Sequence, residues 1–216
     1  MNTSLKKESW PYTLVLFFLL PFALFIVALK KSNYSWAKNV VWAYIIFFGF
    51  TFVIYGTGSD SYQYWLDLKR MYDNNISFKE LVSGFYYSSQ NIDIFSSLLM
   101  FVVSKFTDSP KVLFAVFGFF FGFFYTRTIW LILHLNEYKF NLVHSFLMLC
   151  LALIVPFWYI NGFRFWTASI IFIYSIVYFF YLKKHVKYII LLCLTPLMHF
   201  SFVFPLAIFF LYSFLG

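Results

Sequence analysis

Gly56-Thr57-Gly58-Ser59-Asp60-Ser61-Tyr62-Gln63-Tyr64-Trp65 is a polar turn set directly after a long apolar run, and it opens the chain's one long hydrophilic stretch, Gly56 to Asn91. Its reading governs the rest: if the apolar runs cross a bilayer, this turn is delivered to one membrane face and Asp60 stands at the mouth of a membrane domain. Composition supports that premise. Of 216 residues, 62% are hydrophobic, 27% aromatic and 11% charged, whereas soluble domains run at about 45–50% apolar and about 25% charged. The 34 Phe and 17 Tyr suit lipid contact and interfacial belts. The net charge of +8 sits at the ends of apolar runs, which is topology charge and leaves no solvated basic face for nucleic acid.

Outward from the turn, the spacing predicts an all-α polytopic transmembrane bundle with spans at 10–29, 36–55, 112–133, 140–160, 165–182 and 188–215, the last kinked or split at Pro196 and His199. Pro21 is read as a mild kink in the first, uncleaved span. Lys30, Lys31 and Lys38 mark the first loop as cytoplasmic, as Lys183, Lys184 and Lys187 mark a later one, so Asp60 and Arg164 fall on the opposite, outer side. Gly56–Asn91 is then an extracytoplasmic loop carrying two short juxtamembrane helices. The second opens on a Ser77–Glu80 capping box, and Asp73-Asn74-Asn75 is a turn signal. Residues 92–106 are too few to span a ~30 Å core, and both their ends fall outside. They are expected to form a re-entrant or half-inserted helix, a state tolerated where protein or a water-filled cavity surrounds it. The chain stops at Gly216 inside apolar sequence, which suggests a C-terminal truncation.

Polar groups in such a chain are costly and mark function. Asp60, Tyr64, Asp67 and Met71 recur at helical spacing and share a face. Asp60 suits a general base, an acceptor-orienting carboxylate or a divalent-cation ligand; the competing reading is a helix N-cap, for which Ser59 or Asp60 is suited. Arg164, beside Asn161, suits a phosphate or pyrophosphate, against a snorkelling interfacial arginine. His199 suits a proton carrier, against a histidine satisfied by a carbonyl. Arg127 is explained by its place at the cytoplasmic end of a span. Cys150 and Cys193 read as packing residues without metal spacing. Motifs of the HExxH, CxxC, GxSxG and Walker types are missing from the sequence.

Three landmarks in order resemble the EpsG/Wzy-like membrane proteins of bacterial exopolysaccharide and O-antigen assembly. Tyr55 to Tyr64 looks like that family's G-x-D-x-x-x-Y element after the second span. Asn161 to Ala168 is similar to its N-x-hydrophobic-Arg-x-x-x-Ala helix start, and Met198-His199-Phe200-Ser201, after the basic loop, is similar to its His-x-Ser. The sequence departs in having Phe165 where the family commonly has Gln, and Asp93 where it often has Glu. The acidic first outer loop also looks like that of GT-C glycosyltransferases. The resemblance implies a polymerase of lipid-linked oligosaccharide repeat units at the outer face of the plasma membrane. Asp60, Arg164 and His199 would be catalytic and Tyr64, Asp67, Asp93 and Asn161 substrate-binding. The implied partners are a polyprenyl-(pyro)phosphate-linked oligosaccharide, the bilayer and other polysaccharide-assembly membrane proteins, with no organic cofactor and a divalent cation an open question. Rival expectations are a flippase or transport component, an O-acyltransferase, and a non-catalytic assembly subunit.

Overall fold

The computed structural model describes residues 12–32, 34–87, 93–135, 157–182 and 186–215. Among these the regular elements are helical, in agreement with the all-α expectation. They are α1 Thr13–Leu19, α2 Pro21–Lys30, α3 Ala37–Phe50, α4 Asp60–Asp73, α5 Phe78–Tyr87, α6 Ile94–Ser104, α7 Pro110–Leu135, α8 Phe163–Val177, α9 Val186–Met198 and α10 Val203–Leu215. A 3-10 stretch, Phe157–Gly162, leads into α8, a π-helical turn, Tyr178–Leu182, follows it, and a 3-10 turn, Phe200–Phe202, joins α9 to α10.

Among the described residues two stretches are long and apolar enough to cross a membrane, Pro110–Leu133 and Phe157–Tyr181. Half of the first (50%) and less of the second (39%) is buried against the rest of the chain, which leaves side chains such as Phe119, Phe180 and Tyr181 uncovered. The other expected spans that fall within the described residues take shorter or broken forms. Residues 10–29 do not form one kinked helix: the chain leaves the helix at Leu20 (φ −143°, ψ 67°) and α2 restarts at Pro21. Proline lacks the N–H and its ring drives the preceding residue out of the α region, so Pro21 starts a helix more easily than it bends one. In residues 36–55 the helix ends at Phe50, and Thr51 turns its hydroxyl onto the Phe47 and Phe48 carbonyls. A non-helical run then reaches Gly56, whose φ of 79° turns the chain toward α4. Residues 140–156 of the fourth expected span lie outside the described residues.

Residues 188–215 split at His199 (φ −154°, ψ 121°), three residues after Pro196, which stays inside α9. Pro196 cannot donate to the Leu192 carbonyl, and the Thr195 hydroxyl takes that acceptor instead at 2.7 Å. The α9 helix therefore carries its proline without an orphaned carbonyl at that turn.

The scaffold is the antiparallel pair α3 and α7. Gly49 lies against the Phe114 carbonyl, and Gly118 against Ile45. The Trp42 indole donates to the Phe119 carbonyl at 2.8 Å, and Trp130 donates to Ser32 at the far end. Small residues let two backbones approach closely where no larger side chain fits. α8 packs on α7 through Phe163 and Phe117, whose rings stack in parallel at 3.9 Å; both side chains are buried.

α4 and α5 are the two short helices expected after the turn. The capping box is present: Glu80 accepts from the Ser77 N–H at 2.7 Å, and Ser77 accepts from the Glu80 N–H at 3.3 Å. Asn75 takes the left-handed conformation (φ 44°) just past α4, where Asn is tolerated. α6 is an 11-residue helix, roughly 16 Å long, that buries Ser96, Ser97, Met100, Val103 and Ser104. Lys105 latches its end to the α4–α5 turn by donating to Asn75 and Ile76. The short helix expected within 92–106 is thus present, enclosed by protein along one face.

Candidate functional site

The site forms where the starts of α4, α6 and α8 meet the break between α9 and α10. Ser59, not Asp60, caps α4: in extended conformation (φ −87°, ψ 152°) it accepts from the Tyr62 N–H at 3.3 Å. Ser59 Oγ also lies 3.2 Å from the Gly56 carbonyl and 2.9 Å from Ser61 Oγ. The capping role that competed with function at Asp60 is therefore taken by its neighbour. Asp60 stands in the first turn, where the helix dipole favours its negative charge, with an exposed side chain (55%).

Arg164, the second residue of α8, holds the site together. Its Nε donates to the Tyr64 hydroxyl at 2.9 Å, and its Nη1 donates to Asp93 Oδ2 at 3.0 Å. Its Nη2 lies 3.9 Å from Asp60 Oδ2, too far for a hydrogen bond but close enough for charge attraction. A guanidinium carries five donors, so the Nη2 edge remains able to take another anion. Asp93 is buried, and its second oxygen accepts from the Phe200 N–H at 3.1 Å. Asn161 accepts from the Ser61 N–H at 2.8 Å, tying the turn before α8 to the start of α4. Its amide oxygen satisfies one of the N–H groups that a helix start leaves open.

These groups surround a polar cavity of about 350 Å³ whose walls include Asp60, Tyr64, Asp67, Asp93 and Arg164. Five of the seven residues singled out in the sequence thus line one space, and Asn161 braces it from behind. His199 does not line it. Its Nδ1 lies 2.7 Å from Ser201 Oγ, its ring edges onto Phe165 at 5.3 Å, and it contributes the turn that aims Phe200 at Asp93.

The cavity also includes Gln63, Arg70, Ser96 and Ser97, which the sequence reading did not select. Gln63 and Arg70 follow from the spacing that links Asp60 and Asp67, since all four share one helical face. Ser96 and Ser97 turn their hydroxyls back to the Asp93 carbonyl at 3.3 and 3.5 Å, and two adjacent serines in an apolar helix are their only signal in the sequence. On the opposite flank of α4 an apolar groove of about 400 Å³ is walled by Phe52, Ile54, Tyr62, Trp65 and Lys111.

Two further expectations meet the structure here. Cys193 is exposed where a packing role was expected, because it falls on the uncovered face of α9; Cys150 lies outside the described residues. Among the described residues no group of three or more His, Cys, Asp or Glu is placed to hold a metal ion.

Burial pushes the Tyr64 hydroxyl up to about 12, against the opposing pull of Arg164, so it remains a phenol and a hydrogen-bond partner. Burial likewise raises the Asp67 carboxyl above the ordinary range, with Arg70 and Arg164 working in the other direction. The folded protein therefore holds the Asp67 proton more tightly than the unfolded chain does. This favours folding below the unfolded carboxylate pKa of about 3.9, and the gain is lost as pH rises through the elevated folded value. Asp67→Asn is thus expected to raise the thermal midpoint at pH 7, modestly, because the carboxylate is only half-buried and solvent screens its charge. The gain should vanish at pH 3, where both proteins are neutral at that position. Thermal unfolding at the two pH values checks this, and a lower midpoint for the variant at pH 7 would mean that the carboxylate supports the fold.

No protein-family model, no curated protein and no solved structure matches this chain.

Proposed function

We propose that this chain is a multi-pass protein of the bacterial plasma membrane. In this reading it polymerises lipid-linked oligosaccharide repeat units by glycosyl transfer at the outer face, in exopolysaccharide, capsule or O-antigen synthesis. The observation that carries the proposal is the convergence of Asp60, Asp93, Tyr64 and Arg164 on one polar cavity at the end of long apolar helices. Phosphate and sugar hydroxyls ask for this chemistry, a guanidinium edge and open carboxylates together. An apolar groove lies on the other flank of the same helix, so a substrate with a polar head and a hydrocarbon tail has a surface for each.

In the reaction the acceptor sugar's hydroxyl oxygen attacks the anomeric carbon of the donor. The bond from that carbon to the phosphate oxygen breaks, and the polyprenyl pyrophosphate departs with the bonding electrons. Asp60, exposed and free of capping, receives the acceptor proton. Arg164 meets the charge gathering on the leaving phosphate with its free Nη2 edge. Asp93 and Tyr64 hold the guanidinium in position, and His199 acts through the backbone of Phe200. A flippase would need polar groups distributed along a path between the two membrane faces; the concentration of acids at one end favours transfer chemistry.

Asp60→Asn is expected to lower polymer formation by about 10²- to 10⁴-fold, the range for loss of a general base. Folding should be nearly unaffected, because Ser59 keeps the cap. Surface polysaccharide from cells carrying the variant should contain single repeat units in place of long chains. Long polymer at normal yield would end the glycosyl-transfer reading.

A further inference from the structure

The other end of the α3–α7 pair holds a second charged site that the transfer reaction does not use. Arg127 lies about 15 Å along α7 from Phe117, at 1.5 Å per residue; Phe117 packs against Tyr64 and Phe163, so the acidic cavity is about half a hydrocarbon thickness away. Its guanidinium stacks over Trp42 at 4.6 Å and Phe123 at 4.1 Å. Nη1 donates to the Thr126 hydroxyl and Nη2 to the Asn39 side-chain oxygen, each at 2.9 Å. Both acceptors are neutral. Lys38 lies near enough for its charge to act on Arg127, and no hydrogen bond holds it among the described residues. The Trp130–Ser32 bond brings the chain that follows Lys30 and Lys31 to the same end.

No salt bridge links Arg127 or Lys38 to an acid among the described residues; the ion pairs described there both belong to Arg164 at the opposite end. An arginine half-buried against two aromatic rings with only neutral acceptors is a cation whose desolvation is not offset by a countercharge. The rings fix the plane of the guanidinium, so its remaining N–H groups present a set fork rather than a mobile charge. A tetrahedral oxyanion matches such a fork.

We infer that Arg127 and Lys38 form a binding site for the phosphate of an anionic membrane lipid, seated at the end of the α3–α7 pair remote from the acidic cavity. The lipid supplies the missing countercharge, and Trp42 with Phe123 packs beside its upper acyl region. Charge complementarity commits the site to an anionic headgroup, since a zwitterionic lipid brings its own cation to an already positive surface. This inference depends on the membrane placement proposed above and not on the glycosyl-transfer chemistry.

The test uses the full chain purified in neutral detergent, with its thermal midpoint followed as lipid is added. Phosphatidylglycerol should raise the midpoint saturably, and phosphatidylcholine at the same concentration should not. Arg127→Gln and Lys38→Gln should each weaken the phosphatidylglycerol response by about fivefold to tenfold, while Lys79→Gln, on α5, leaves it unchanged. Equal stabilisation by phosphatidylcholine overturns the inference, as does an unaltered response in Lys38→Gln, which remains decisive if Arg127→Gln fails to fold. Inorganic phosphate that reproduces the full response at millimolar concentration also overturns it, by assigning the site to a free anion. Loss of polymerase activity plays no part in the readout, so failure of the lipid site and failure of the transfer mechanism are distinguishable.

Discussion

Arg164→Ala is expected to abolish polymer formation and, separately, to destabilise the protein by about 3 kcal/mol, the low end of the range for breaking a buried ion pair from one side. The low end applies because Arg164 is itself one-third exposed (33%), whereas Asp93 is not (11%). Truncation leaves the Asp93 carboxylate with the Phe200 N–H as its remaining hydrogen-bond donor and takes the partner from the Tyr64 hydroxyl. Arg164→Lys should not rescue activity, because one ammonium cannot serve the Tyr64, Asp93 and Asp60 directions that three guanidinium nitrogens serve together. The structural and chemical parts separate in the double variant Arg164→Gln with Asp93→Asn. Neutralising both partners removes the unpaired charge, so thermal stability should recover most of what Arg164→Gln alone loses. Polymer should stay absent, because no cation then meets the leaving phosphate. Recovery of long chains in the double variant would reduce Arg164 to a structural tie.

Much of this site was legible because its parts lie within single helices or beside them. Asp60, Tyr64 and Asp67 share a face by spacing alone, the Ser77–Glu80 box is written in four residues, and a short helix was expected where α6 lies. What the sequence did not carry is pairing over distance. Asp93 and Arg164 are 71 residues apart, and Ser61 and Asn161 are 100 apart; nothing local says that they meet. The sharing out of roles among neighbours was also hidden. Ser59 and Asp60 were equal candidates for the α4 cap until backbone geometry assigned it to Ser59. His199 was read as a group facing substrate, whereas the break it makes in the helix delivers a backbone N–H to Asp93 and turns the imidazole toward Ser201. Prolines misled in both directions. Pro21 ended a helix that was expected to bend, and Pro196 sat inside one because Thr195 could satisfy the carbonyl it left open.

The glycines of the α3–α7 contact carry the largest expected effect on the fold. A Cβ at Gly49 would run into the Phe114 carbonyl oxygen and lie 2.8 Å from its carbon, and one at Gly118 would lie 2.7 Å from the Ile45 carbonyl oxygen. These neighbours are backbone and cannot rotate away. At Gly122 the nearest atoms, at 3.0 to 3.1 Å, belong to the Ile45 and Trp42 side chains, which can. The Gly118-x-x-x-Gly122 spacing is the small-residue signature of close helix pairs, but it gives neither the partner helix nor the rank of the sites. Gly49→Ala is therefore expected to cost about 3 kcal/mol or more, at or beyond the upper range for overpacking, even though alanine gains roughly 1 kcal/mol in helix propensity. Gly118→Ala should fall between, and Gly122→Ala should come out near neutral. Thermal midpoints in detergent would show this order, and a stable Gly49→Ala protein would refute the close approach. The effect should extend to activity in whatever fraction still folds. α3 leads through Gly56 to Asp60, whereas Arg164 is fixed to α7 by the Phe163–Phe117 stack. Pushing α3 away from α7 thus moves the carboxylate relative to the guanidinium, and misplacement of about 1 Å is enough to cost roughly 10²-fold in rate.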